Sequence, residues 1–214
     1  MKAPQTPVAR EGYPFIAFSA FVTLILAVLG YNFLALPALA ITTFVLCFFR
    51  DPERIGPISD DALISPADGK VILIEKIIDD QYIQGQVYKV SIFMNVFNVH
   101  VNRIPVSGTV EKILYAPGKF YSADSDRGAM HNEHCTTILQ TSSGHRLAFV
   151  QVAGLIARRI VCWLEAGDQV RRGERFGLIR FGSRVDLYIP TQTQLEIVIG
   201  QKVRAGETVL GYLS

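Results

Sequence analysis

Two patterns of hydrophobic positions meet near residue 50. From Phe15 to Phe49 no side chain is charged, a run well beyond the roughly 20 apolar residues that carry one helix across a bilayer. Gly30, Asn32 and Pro37 interrupt it, and one straight helix of that length would overshoot the hydrocarbon at about 1.5 Å per residue. The run therefore predicts two short helices, residues 15–29 and 34–49, folded as a transmembrane or re-entrant hairpin that occupies a first domain, 1–50. Lys2, Arg10, Arg50 and Arg54 flank it. Positive charge beside membrane segments favours the cytoplasmic side, so the expected location is the cell (inner) membrane with residues 51–214 facing the cytoplasm. The run is too long for the apolar core of a signal peptide. A buried helical pair in a soluble core is the alternative.

Beyond Asp51 the period shortens. Runs at 70–78, 86–93, 108–115, 136–140, 146–152, 187–190 and 194–198 are rich in β-branched residues and separated by glycine turns, which predicts a mostly β second domain. Near the end two segments repeat each other: Gly167-Asp-Gln-Val-Arg-Arg-Gly-Glu-Arg-Phe-Gly177 and Gly200-Gln-Lys-Val-Arg-Ala-Gly-Glu-Thr-Val-Leu-Gly211. Each reads as a strand, a tight glycine turn with positive φ and a returning strand, the unit of folded-over sandwiches of the lipoyl or biotinyl type. Asp68-Gly-Lys-Val71 and Ser107-Gly-Thr-Val110 are fainter echoes.

Composition narrows the function classes. Half the residues are hydrophobic and 19% are charged, which excludes a disordered chain. The 21 basic and 19 acidic residues leave a net charge of +2 with no basic block, so no nucleic-acid partner is expected. Cys47, Cys135 and Cys162 form no CxxC pair, which fits a reducing compartment.

Several polar clusters are candidates for chemistry, each beside a plainer reading. Asp68 in Ser65-Pro-Ala-Asp-Gly69 is first of all a turn residue. In Phe97-Asn-Val-His-Val-Asn-Arg-Ile-Pro105, strand alternation would put Asn98, His100 and Asn102 on one face, a polar stripe that needs water, a network or a site. His131-Asn-Glu-His-Cys135 has the residue types of a zinc site. No second ligand pair at structural-zinc spacing accompanies it, although His145 is a possible neighbour, and no metal is expected. Arg158-Arg159 and Arg171-Arg172 read as solvated or headgroup-facing charges. A Gly-Ser pair such as Gly182-Ser183 is ordinarily a turn.

Taken in order, these segments resemble one family. Asp68 in Ser-Pro-Ala-Asp-Gly, His100 in Phe-Asn-Val-His-Val-Asn-Arg, Asn132-Glu133, Gln151-Val-Ala-Gly-Leu-Ile-Ala-Arg-Arg159 and Phe181-Gly-Ser-Arg184 together resemble the short-form prokaryotic phosphatidylserine decarboxylase proenzymes, over nearly the whole chain. The resemblance implies a pyruvoyl enzyme that cuts itself between Gly182 and Ser183 into a β chain, 1–182, and an α chain, 183–214, held together as a heterodimer. Ser183 would become the covalent pyruvoyl group (pyruvate) that forms a Schiff base with phosphatidylserine and yields phosphatidylethanolamine. Nucleophilic attack by Ser183 needs a base, which His100 oriented by Asp68 would supply, with Asn132, Glu133 and His134 as auxiliaries. Longer family members resemble a pattern with a second histidine where this chain has Arg103, so protonation after carbon dioxide leaves would return to His100 or pass to His134 or water. Arg50 and Arg54 are expected to meet phosphate or anionic headgroups.

Two other readings remain beside it. A decarboxylase of another serine-headed lipid, such as archaetidylserine, would use the same headgroup chemistry. A non-enzymatic, membrane-anchored lipoyl-like adaptor would suit the glycine repeats, but would present an acceptor lysine on a hairpin tip, commonly beside Met, and the chain's Met-Lys pair is Met1-Lys2.

Overall fold

The apolar run folds as two helices, α1 (Tyr13–Val28) and α2 (Asn32–Phe48). These and the strands below come from a computed structural model that describes residues 7–59, 61–118, 132–154, 159–180 and 183–213. The chain divides into two units, Met1–Glu53 and Arg54–Ser214. In the first, the break between helices falls at Leu29–Tyr31. Asn32 opens α2 and Pro37 lies inside it, so that proline removes one amide from the helical ladder without ending it. The hydroxyls of Thr23 and Thr42 lie 3.0 Å apart, each also on a carbonyl of its own helix, Ser19 and Ala38. Two hydroxyl protons serve these three contacts, so each threonine has a partner within the hairpin whichever contact its proton makes. Arg10–Val28 spans 19 residues with mean hydropathy 1.7, long and apolar enough to cross a membrane, and α2 has 17 residues. No residue of α1 is buried.

The second unit is β-rich, as expected. Its strands are, in chain order, β1 (Ala62–Ile64), β2 (Gly69–Asp79), β3 (Gly85–Met94), β4 (Val101–Arg103), β5 (Gly108–Ala116), β6 (His134–Gln140) and β7 (Arg146–Ala153). There follow β8 (Ile160–Cys162), β9 (Gln169–Val170), β10 (Arg175–Ile179), β11 (Ser183–Pro190), β12 (Gln194–Leu195), β13 (Lys202–Val203) and β14 (Val209–Tyr212). Among the described residues an eight-stranded antiparallel sheet runs β13-β2-β3-β11-β7-β6-β5-β9, and two three-stranded sheets run β1-β14-β12 and β4-β10-β8. One face of the large sheet, with Val71, Ile92, Met94, Phe149 and Val185, joins Leu63, Phe176, Ile179 and Leu210 in the main core. The opposite face carries Val87, Ile138, Val150, Val152 and Tyr188 in a second cluster. The central strands β7 and β11 are therefore buried on both faces, and the charged side chains that this encloses on β11, Arg184 and Asp186, pair with each other.

The sequence repeat is a structural one. Gly167 and Gly200 have φ of +95° and +93°, and Gly173 and Gly206 are both at +80°, a left-handed conformation that glycine adopts without a Cβ penalty. Val110 exchanges backbone hydrogen bonds with Gly167 and Asp168, as Val71 does with Gly200 and Gln201. The two echoes are the strand starts on which the two repeats dock. Two expectations change. Residues 194–198 supply only the short β12, and Asn98 and His100 precede β4, so the polar stripe does not lie on one strand face. The backbone turns instead at Asn95–Asn98, where the Asn98 amide donates to the Asn95 carbonyl at 3.0 Å.

Candidate active site

Ser183 opens β11 with no exposed surface. Its register partners are Met94 on β3 and Ala153 on β7, and its Oγ donates to the Met94 sulfur at 3.3 Å. Gly182 and Phe181 lie outside the described residues, as do His131 and Arg158. The same sulfur accepts from Asn102 Nδ2 at 3.8 Å, and Asn102 Oδ1 accepts from Gln151 Nε2 at 2.9 Å. All four side chains are buried.

The Asn132-Glu133 pair reaches the same place through Ala153. Asn132 Nδ2 donates to the Ala153 carbonyl at 2.7 Å, and the Ala153 amide donates to the Glu133 carbonyl at 2.9 Å. The Glu133 carboxylate also accepts from the Ile160 amide at 3.4 Å. Tyr115, facing it, has its phenol pushed up to about 12 by partial burial and then by its hydrogen bond to Glu133. His134 is placed differently. It pairs with Val152, which pairs with Arg184, and alternation puts these three on the sheet face opposite Ser183 and Ala153.

His100 is buried just ahead of β4. Its Nδ1 lies 2.9 Å from the Asn98 carbonyl, as His134 Nδ1 lies 3.0 Å from that of Asn132. A carbonyl only accepts, so in the neutral ring Nδ1 carries the proton and Nε2 the lone pair. The His100 carbonyl accepts from the Ile179 amide at 3.4 Å, which ties the residue to the end of β10, shortly before Ser183.

Asp68 spends its carboxylate elsewhere. Oδ1 accepts from the Ala205 amide at 2.8 Å and Oδ2 from Arg54 at 3.0 Å. Ala205 belongs to the second glycine repeat. In the first repeat the matching amide, that of Arg172, donates to Ser107 Oγ at 2.9 Å. Asp68 and Ser107 each precede the glycine that begins a docking strand, so Asp68 fastens its turn as a serine does in the other copy. An Asp68–His100 hydrogen bond would have to use Nε2, because Nδ1 faces Asn98.

Three arginines also find structural partners. Arg54, expected at headgroups, has a largely buried side chain bridged to Asp68 and, at 3.2 Å, to Glu207. Arg50 donates to the Cys47 carbonyl at 2.6 Å, at the end of α2. Arg103, three residues after His100, is buried and donates to the Gly173 carbonyl at 2.9 Å. Sequence reasoning missed Met94 and gave Gln151 no role of its own. A methionine ending an apolar strand carries no signal without its register partner. Among the described residues no group of three or more His, Cys, Asp or Glu side chains is arranged to hold a metal ion.

A buried serine at a strand start, walled by main-chain and amide contacts, is the centre of this arrangement. The family profile described as phosphatidylserine decarboxylase matches residues 41–211. The chain is 62% identical over 213 residues to the phosphatidylserine decarboxylase proenzyme of Desulfotalea psychrophila, covering 100% of both chains. The proenzymes of Geotalea uraniireducens and Syntrophotalea carbinolica are similar at 48% and 47% identity, again over the full length of each. With a profile match running from the second helix to the last strand and relatives aligned end to end, the chain belongs to the phosphatidylserine decarboxylase family of enzymes.

Proposed function

We propose that the chain is a membrane-bound, self-processing decarboxylase that converts phosphatidylserine to phosphatidylethanolamine through a pyruvoyl group made from Ser183. The position of Ser183 carries the reading. A fully buried hydroxyl cannot meet a lipid as it stands, yet it is covalently beside the carbonyl of Gly182. The strand it opens is paired to β3 and β7 along most of its length, so the register survives a cut in front of it.

The chain's own atoms and water account for the cut. A base takes the Ser183 Oγ proton, Oγ bonds to the Gly182 carbonyl carbon, and the Gly182–Ser183 C–N bond breaks with a proton going to the new amine. Loss of the Ser183 Cα proton then breaks the Cβ–Oγ bond and releases the Gly182 carboxylate. Water hydrolyses the unsaturated amine left on residue 183 to ammonia and the pyruvoyl carbonyl. His100 Nε2 is the base, and the Asn98 carbonyl does the orienting that a carboxylate does in a Ser-His-Asp triad. Asp68, fixed by Arg54 and Ala205, holds the second glycine turn against the start of β2, beside Phe93 and so beside Met94.

A pyruvoyl group made from Ser183 would be flanked by Met94 and Ala153, its register partners, and has no more heavy atoms than the serine it replaces. When present it supplies an electron sink conjugated with its amide. Asn132 and Glu133 hold the Ala153 wall, and His100 returns the proton after carbon dioxide leaves, since His134 faces away. The β chain, 1–182, and the α chain, 183–214, stay interlocked through β11 and the second repeat. Residues 1–50 anchor the enzyme in the inner membrane with 51–214 on the cytoplasmic side, because a two-chain lipid costs about 0.8 kcal/mol per CH2 to bring into water.

Intact-mass spectrometry of the detergent-solubilised protein tests the reading. It should give two masses, residues 1–182 and a pyruvoyl-blocked chain from 183, and Ser183→Ala should give one uncut, inactive chain. A Ser183→Ala chain that still splits at this bond removes the nucleophile.

A further inference from the structure

Two buried amides and a thioether beside Ser183 are not explained by the base, the nucleophile or the glycine turns. Asn102 has no exposed surface and Gln151 has 1%. Asn102 stands on β4 of a small sheet, whereas Met94, Gln151 and Ser183 stand on three strands of the large one. The bonds from Gln151 to Asn102, from Asn102 to Met94 and from Ser183 to Met94 therefore link the two sheets through the main core. Buried amides are costly there: among the described residues Gln151 Oε1 is buried with no hydrogen-bond partner, so its desolvation is not offset. Asn102 Nδ2 is spent on sulfur, a weak acceptor. An apolar pair would fill the same space without that cost.

We propose that Met94, Asn102 and Gln151 form a positioning set for Ser183, resting on the self-cleavage reading above. Gln151 donates to Asn102 Oδ1 and so fixes which way the Asn102 amide faces. Asn102 Nδ2 then steadies the Met94 sulfur from one side, and the sulfur holds the Ser183 hydroxyl from the other. The weakness of the acceptor is the point of the arrangement. A carbonyl or carboxylate in place of Met94 would compete with the base for the Ser183 proton. A thioether fixes the rotamer, gives the proton up readily and leaves both oxygen lone pairs for attack. The set acts before the C–N bond breaks, in the transfer of the Gly182 acyl group from nitrogen to Oγ.

Pulse-labelled cell-free synthesis of the full chain with lipid nanodiscs reads the precursor's lifetime directly. Met94→Leu keeps the volume and loses the sulfur, and Gln151→Met keeps the length and loses the amide. Each should lengthen the precursor's life, by up to about 100-fold for a misplaced nucleophile, with the thermal midpoint held near wild type. Hydroxylamine, which cleaves esters but not amides, should leave the lingering precursor whole, because the acyl group has not moved. Either folded variant decides the matter alone. Cleavage at the wild-type rate overturns the set, and so does a slow precursor that hydroxylamine splits between 182 and 183, since the defect would then lie after the transfer. A wild-type chain that never cleaves overturns the self-cleavage reading itself.

Discussion

Two thiols on neighbouring strands of the β unit do not behave alike. Cys135 is buried on β6 and Cys162 half-buried on β8. Hydrogen bonding from the Cys135 thiol lowers Cys162 to about 7, against its burial, with the Leu164 backbone and the Thr137 side chain helping, and the same contact pushes Cys135 up. The thiolate of Cys162 therefore forms as pH rises through about 7, and iodoacetamide should label Cys162 with a half-maximal rate near that pH while Cys135 stays slow. Cys135→Ala should move the midpoint toward the ordinary value of about 8.5, and Cys135→Ser, which still donates, should move it less. A midpoint unchanged in Cys135→Ala, followed by mass spectrometry of the labelled peptide, would put the cause elsewhere. Asp68 makes a related point about single residues. The carboxylate of the Ser-Pro-Ala-Asp-Gly segment has a job in the fold whatever else it does: its oxygens accept from Ala205 and Arg54, and Ser107 does the first of those jobs in the other repeat.

At the level of elements, the duplicated turns offer an internal control. Gly173 and Gly206 share φ of +80°, yet a Cβ on Gly173 meets none of the described residues within 4 Å, whereas one on Gly206 would lie 2.7 Å from Arg103 Cδ and 3.3 Å from Arg54 Cβ. Neither arginine gives way easily. Arg103 is buried and anchored on Gly173, and Arg54 is anchored on Asp68 and Glu207. Gly173→Ala should cost about 1–2 kcal/mol for the left-handed backbone alone, and Gly206→Ala about 1–3 kcal/mol more for the crowding. Urea titration of the two variants checks the order, and equal losses would mean that Arg103 moves aside. The turns and the long strands were legible in the sequence because glycine spacing and β-branched runs are local signals. What joins them was not. Arg103 reads as an odd substitution beside His100, and its span from one glycine turn to the other needs the register of β4 on β10. The same holds within the site: Ser183, His100 and Asn132 were visible as motifs, while Met94 became visible only as the partner of Ser183 across β3 and β11. His134 shows the complementary point: it stands in register with Val152 and Arg184, and a motif fixes neighbours in sequence and not the face on which a strand displays them.

For the whole molecule, the division at Glu53 and Arg54 separates two kinds of stability. The hairpin buries few of its apolar side chains, and Phe18, Leu24, Val28, Phe33 and Leu36 are all exposed, so in water it has little to hold it and in a bilayer it needs no further partner. Arg54–Ser214 contains both glycine repeats, the main core and the cluster on the outer face of the large sheet. The residues that make up those features all belong to Arg54–Ser214, and its chemistry, as proposed, acts at the serine end of the lipid. A chain beginning at Arg54 should therefore fold, cut itself between 182 and 183, and decarboxylate a short-chain phosphatidylserine that is soluble without a bilayer. On vesicles it should fail to float with the lipid, and its rate on long-chain phosphatidylserine should fall on the order of 100-fold, because the hairpin supplies effective concentration and no reacting group. Circular dichroism, intact mass and flotation read the three parts separately. A truncated chain that is folded and cut but inactive on the soluble lipid would show that the hairpin shapes the lipid site itself. One that does not fold would make residues 1–53 part of the β unit's core. Floating and full activity without the hairpin would move the membrane contact to the β unit, where Ile55 and Ile58 are almost fully exposed and would be the first residues to replace.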